Sequence, residues 1–151
     1  MFSDRKEKNY IILAEDDEDD RIFFKEAFHE LNLSTELRVA EDGFELMNFL
    51  EKPDIDLPQL ILLDLNMPLI NGFECLEMMK KNVQLKNIPV IIYSTSANPE
   101  DIKRSYNLGA HFYVHKPINH QQFKAAIKKV LLTDWEKGVP PKNSSWNQLS
   151  G

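Results

Sequence analysis

The chain has 151 residues, a formal net charge of -6 and an apolar share of 42%. That length suits one domain with a real core, and the composition excludes a disordered chain. The acidic balance weighs against non-specific binding to nucleic acid or anionic membrane. The single cysteine, Cys75, can form no internal disulfide, and no Cys/His cluster has zinc spacing. Cys75 therefore reads as a small buried or half-buried apolar residue. The opening "MFSDRKEKNY" lacks the apolar stretch of a signal peptide, and no apolar run approaches the ~20 residues that cross a bilayer. A cytoplasmic protein is expected, with no nucleic-acid or membrane partner.

Short apolar runs alternate with longer amphipathic segments. "YIILA" (10–14) predicts a buried strand, and residues 19–31 a helix with Ile22, Phe23, Ala27 (or Phe28) and Leu31 inward. "LRVA" (37–40) is the second strand, and "GFELMNFL" a helix with Phe44, Met47 and Leu50 on one face. "DLPQ" breaks the chain before the third strand, "LILL" (60–63). Gly72 to Lys81 predicts a helix with Phe73, Leu76 and Met79 inward. "IPVIIYS" (88–94) is the fourth strand; Asn98 caps the next helix, Pro99 starts it and Gly109 closes it. "HFYVH" is the fifth strand, and Asn119 caps a last helix with Phe123, Ala126, Ile127 and Val130 on one face. Met67, Met78 and Met79 read as core filling. His29 and His120 read as surface residues, and His111 and His115 as solvated or interface residues. Residues 1–8 are an expected N-terminal extension, 9–135 the domain, and 136–151 a flexible or docked tail.

Strand followed by helix, five times over, predicts an α/β fold: a parallel sheet with helices on both faces. In such sheets the functional crevice lies at the carboxyl ends of the strands. Glu15, Asp16 and Asp17 follow the first strand, Asp64 the third, Ser94 and Thr95 end the fourth, and Lys116 follows the fifth. Parallel strands would gather all of these on one rim. Clustered carboxylates repel one another and call for a cation. Oxygen-only ligands favour a hard ion such as Mg2+, which takes one or two carboxylates plus phosphate and water. A lysine and a hydroxyl beside them could bind phosphoryl oxygens. Together they would spread the charge of a phosphoryl group moving to Asp64. Asp19 and Asp20 read as a solvated first helical turn, where acids favour the dipole.

Five ordered motifs, "ILAEDD", "EDGFE", "LLDLNMP" with "NG" (71–72), "PVIIYSTS" and "YVHKP", resemble those of response regulator receiver domains over residues 9 to 133. The resemblance implies a CheY-like, flavodoxin-like (βα)5 fold, doubly wound with strand order 2-1-3-4-5. It implies that Asp64 accepts a phosphoryl group from a histidine kinase phosphohistidine. Asp16, Asp64 and the backbone carbonyl of Asn66 would ligate Mg2+, with Glu15 acting through a coordinated water. Ser94 and Lys116 would bind phosphoryl oxygens, and Ser94 and Tyr113 would form a switch read on the face of helix four, strand five and helix five. Ser94 would move toward the phosphoryl group, and Tyr113 would rotate inward into the vacated space. A partner or a second copy would dock on that face, beside His111, His115 and Tyr106, with the Trp146 segment assisting.

Within the family, "LLDLNMP", "STS" and a final helix running to Trp135 resemble stand-alone regulators that partner phytochrome-like sensor kinases. Asn71 replaces the usual Asp before Gly72, Ser94 replaces the commoner Thr, and Asp17 adds a third acid that could alter metal affinity or dephosphorylation rate. Apart from self-phosphorylation from a phosphodonor and self-dephosphorylation, no enzyme activity is expected. Two other readings compete: a non-phosphorylated docking module, and an aspartyl-nucleophile phosphohydrolase. The intact acid–hydroxyl–lysine set opposes the first. Asn66, at the second acid position, and the lack of a cap domain oppose the second.

Overall fold

The computed structural model describes residues 9–135. The expected extension, the expected tail and Trp146 lie outside the described residues. In chain order the elements are β1 (Tyr10–Ala14), α1 (Glu18–Glu30), β2 (Glu36–Ala40), α2 (Gly43–Leu50), β3 (Leu60–Leu63), α3 (Gly72–Lys80), β4 (Val90–Ser94), α4 (Pro99–Asn107), β5 (Phe112–His115) and α5 (His120–Leu132). The five strands form one parallel sheet in the order β2-β1-β3-β4-β5.

Side chains of the central strands alternate between two cores, because successive strand residues point to opposite faces. Ile11, Leu13, Leu60, Leu62, Ile91, Tyr93, Phe112 and Val114 pack on α1 and α5. Ile12, Ala14, Ile61, Leu63, Val90, Ile92 and Tyr113 pack on the side of α2 and α3, where Ile102 and Tyr106 of α4 also join. Both faces of β1, β3 and β4 are buried, which is why they read as unbroken apolar runs.

Every helix begins at an Asp or Asn cap. Asp17, Asp42, Asn71, Asn98 and Asn119 each accept a hydrogen bond from a backbone N–H of the first turn. Such caps stabilise by about 1 kcal/mol each. Asp17 is thus a cap, exposed to solvent, rather than part of the acidic cluster. Gly109, at φ +108, follows the α4 C-cap Leu108 in the left-handed conformation expected of it.

Two helix faces and one methionine expected in the core differ from expectation. In α1 the buried residues are Phe24, Ala27 and Phe28, while Ile22 is exposed. The Phe24 ring sits 4.6 Å from that of Phe123, so packing against α5 sets the rotation of the helix. In α2, Phe44 is exposed and Leu46 takes its place inside. In α3, Met78 is exposed, whereas Met67 and Met79 fill the core. Strand β4 also starts later than expected: Ile88 donates to Leu85 in a turn, and Pro89 only accepts, from Ile61.

Cys75 is fully buried, its thiol directed at the Gly43 carbonyl 3.8 Å away. Burial first, then the nearby charges of Glu74 and Asp42, push the thiol up to about 12. It therefore stays protonated, and unreactive, at pH 8. Alkylation by iodoacetamide at that pH is expected only as denaturant unfolds the chain. Labelling of the native protein as fast as a free cysteine peptide would contradict this placement.

Candidate functional site

The rim at the carboxyl ends of the strands is built by backbone register. The Glu15 N–H donates to Ala40, the Asp64 N–H donates to Ala14, and the Lys116 N–H donates to Ser94. These bonds extend the sheet ladders by one residue, so Glu15, Asp64 and Lys116 stand side by side just past β1, β3 and β5. All three are buried. Asp16 is exposed beside them. The loop after β1 is fixed by Arg21, whose guanidinium donates to the carbonyls of Glu15 (3.0 Å) and Asp16 (2.8 Å).

Lys116 lies among three acids. Its Nζ is 2.6 Å from Glu15 Oε1, 2.8 Å from Asp20 Oδ2 and 3.7 Å from Asp64 Oδ2. Burial works to lower its pKa, but the hydrogen bonds to Asp20 and Glu15 and the field of Asp64 outweigh it and keep the ammonium charged. Asp20 is therefore part of the site and not merely a solvated acid of the first turn. The sequence signal for it was weak, because Asp20 and Lys116 are 96 residues apart. Tyr93 lies beneath, its ring centre 5.6 Å from the ammonium.

The acids remain in excess over that one lysine. Burial pushes Glu15 up to about 7; Asp64 adds to the rise and Lys116 opposes it. Burial also raises Asp64, against the pull of Lys116 and of hydrogen bonds from Glu15 and the Asn66 backbone. One carboxylate oxygen from each of Glu15, Asp16 and Asp64 can be chosen so that all lie within 4.8 Å of one another. A hard divalent cation fits this set, since it would supply the missing positive charge through oxygen ligands.

Ser94 is fully buried, and its Oγ accepts from the Ser96 N–H at 3.1 Å. Tyr113 is already inward: it is buried, and its hydroxyl donates to the Ser96 carbonyl at 2.7 Å. Burial raises its phenol, and hydrogen bonding with Ser94 and Ser96 counters part of that rise. Ser96 in turn donates to Asp101 of α4 at 2.7 Å. Ser96 thus links the rim to α4, a role that sequence reasoning did not assign. His111 is half-buried, accepting from the Val90 N–H at 3.3 Å and packed edge-on against Trp135. It belongs to the opposite end of β5 rather than to the rim. His120 faces Glu30 across the α1–α5 contact at 3.7 Å. No described helix is long and apolar enough to cross a membrane.

The response regulator receiver domain model matches residues 11–128 of this chain. The chain is similar to response regulator Rcp1 of Synechocystis sp., 35% identical over 123 residues, covering 79% of this chain and 84% of the relative. It is also similar to the probable methanogenesis regulatory protein FilR2 of Methanothrix harundinacea, 28% identical over 123 residues, covering 80% of this chain and 79% of that protein. Among solved structures, the Mn(2+)-bound form of Rcp1 aligns with a TM-score of 0.75 at 33% identity, over 88% of this chain and 99% of that one. The phosphorylated cyanobacterial phytochrome response regulator RcpA aligns with a TM-score of 0.73 at 36% identity, over 82% of this chain and 91% of that one.

Proposed function

The chain belongs to the response regulator receiver domain family, and from that premise we propose that Asp64 is its phosphoacceptor. Receiver domains pair with histidine kinases, bind Mg2+ at an acidic pocket and are generally phosphoryl-accepting proteins rather than enzymes. The observation that carries the reading is the buried Asp64 carboxyl, set beside Glu15 and Asp16 with the Lys116 ammonium 3.7 Å away.

In the proposed reaction a carboxylate oxygen of Asp64 attacks the phosphorus of a kinase phosphohistidine. The P–N bond breaks, its electron pair stays on the imidazole nitrogen, and that nitrogen takes a proton from solvent. The product is an acyl phosphate on Asp64. Bound Mg2+ would neutralise charge on the transferring group. Asp16, Asp64 and the Asn66 carbonyl would hold it, with Glu15 acting through water. Lys116 and the Ser94 hydroxyl would take phosphoryl oxygens. The same groups would serve self-phosphorylation from a small phosphodonor and the later self-dephosphorylation.

The output we propose is phosphorylation-dependent contact with another protein, or relay of the phosphate, in the cytoplasm. Ser94 and Tyr113 would act as the switch, with Tyr113 starting from the inward position and Ser96 carrying the change to α4. A sensor histidine kinase of the phytochrome-like kind, and a second copy docking on the α4–β5–α5 face, fit this reading. Incubation with acetyl phosphate and Mg2+, followed by intact mass measurement, tests it. A phosphoryl adduct on Asp64 is expected; no adduct, or an adduct elsewhere, would sink it.

Mg2+ binding is expected to be weak and to follow the acids. A titration read by NMR shifts should saturate in the wild type and fail with Asp16→Ala. The proton held near Glu15 competes with the metal, so affinity should fall as pH drops through about 7. An unchanged response in Asp16→Ala would show that the cation sits elsewhere.

A further inference from the structure

Two acids hold the Lys116 ammonium at hydrogen-bonding distance, and neither is the acceptor. Glu15 and Asp20 bind it at 2.6 and 2.8 Å, while the 3.7 Å to Asp64 Oδ2 exceeds a hydrogen bond. We propose that Asp20 is a positioning residue that draws Lys116 off Asp64 in the resting protein and releases it when a phosphoryl group arrives. This inference rests on the reading of Asp64 as the phosphoacceptor.

The two anchors differ in kind. The Glu15 side chain is 1% exposed and that of Asp20 42%. Water screens the Asp20 pair, so its grip is the weaker and the more easily exchanged. Asp20 sits in the first turn of α1, where the helix dipole favours its charge. Without the Asp20 carboxylate, the acids left beside the ammonium are Glu15 and Asp64, both buried. Attraction in that low-dielectric setting would bring Nζ into bonding contact with Asp64. A phosphoryl group on Asp64 reverses the competition. Its charged oxygens make stronger bonds to an ammonium than a half-exposed carboxylate does. Lys116 then leaves Asp20 and keeps Glu15. Asp20 thereby weights the equilibrium toward the resting state, a population effect rather than a change of fold.

The role is separable from helix structure. The α1 cap uses the backbone N–H of Asp20 and the side chain of Asp17, and Arg21 fixes the preceding loop by its own bonds. Removing the Asp20 carboxylate leaves these in place.

The test compares wild type with Asp20→Asn, Asp20→Ala and Asp20→Glu, using beryllofluoride with Mg2+ as the phosphoryl mimic. Loss of a screened ion pair should make the Asn and Ala variants bind the mimic roughly twofold to fivefold tighter. Asp20→Glu, which restores the charge, should bind as wild type does. In a crystal structure of metal-free Asp20→Ala, Lys116 Nζ should lie within about 3.2 Å of Asp64 Oδ2. Equal or weaker mimic binding in both charge-removing variants, or an ammonium still held off Asp64, would overturn the proposal. A wild type that takes neither beryllofluoride nor phosphate would instead sink the phosphoacceptor reading, and the distance in Asp20→Ala would still report on the tether.

Discussion

Asp64→Asn is expected to abolish phosphorylation completely while raising stability by about 1 kcal/mol. The amide matches the carboxyl in size but has no anionic oxygen to attack phosphorus. Stability should rise because Asp64 is only 5% exposed and burial already disfavours its charge. Lys116 would lose little, since its hydrogen-bonded partners are Glu15 and Asp20. The charge of Asp64 also raises Glu15, so neutralising it relieves a second buried acid. Intact mass after acetyl phosphate treatment and urea denaturation check the two halves. A stable phosphoryl adduct on the variant would mean the wrong acceptor. A markedly lower urea midpoint would mean that Lys116 relies on Asp64 more than the distances suggest.

Gly72→Ala should be strongly destabilising, by roughly 2 kcal/mol or more, and should also impair phosphate uptake. Gly72 opens α3, and its N–H donates to Leu65 at 2.9 Å, folding the loop after Asp64 back on itself. A Cβ there would run into the Asp64 carbonyl oxygen and stand 2.8 Å from Leu65 Cα. Those atoms are backbone and cannot rotate aside. Alanine would ordinarily help a helix by up to about 1 kcal/mol over glycine, so two effects compete. The collision wins because relieving it means moving the acceptor's own peptide unit. A urea midpoint and an acetyl phosphate time course, run together, decide the matter. A raised midpoint, as for a surface glycine, would show that the loop yields without cost.

The sequence by itself determined the sheet, the starts of α4 and α5, and the gathering of Glu15, Asp64 and Lys116 on the rim. Unbroken apolar runs can be satisfied only by strands covered on both faces, as β1, β3 and β4 are. Asn98 and Asn119 were legible as caps because capping is a bond within one helical turn. Parallel strands then place Glu15, Asp64 and Lys116 together without further information. What the sequence could not decide was rotation and partnership over distance. Helix α1 offers Ile22, Phe23, Phe24, Ala27 and Phe28, enough apolar residues for more than one inward face; the contact of Phe24 with Phe123 and Tyr93 selected one. Phe44 and Met78 stand exposed, while Leu46 and Met79 on the same helices are buried. Asp20 looked like one more acid favouring a helix dipole until the fold brought Lys116 to it. Tyr113 was legible as a residue of the fifth strand, but its inward position depends on the Ser96 carbonyl, which the turn after β4 presents. Local patterns encode bonds made within a few residues, whereas these choices depend on which surfaces meet after the chain has closed.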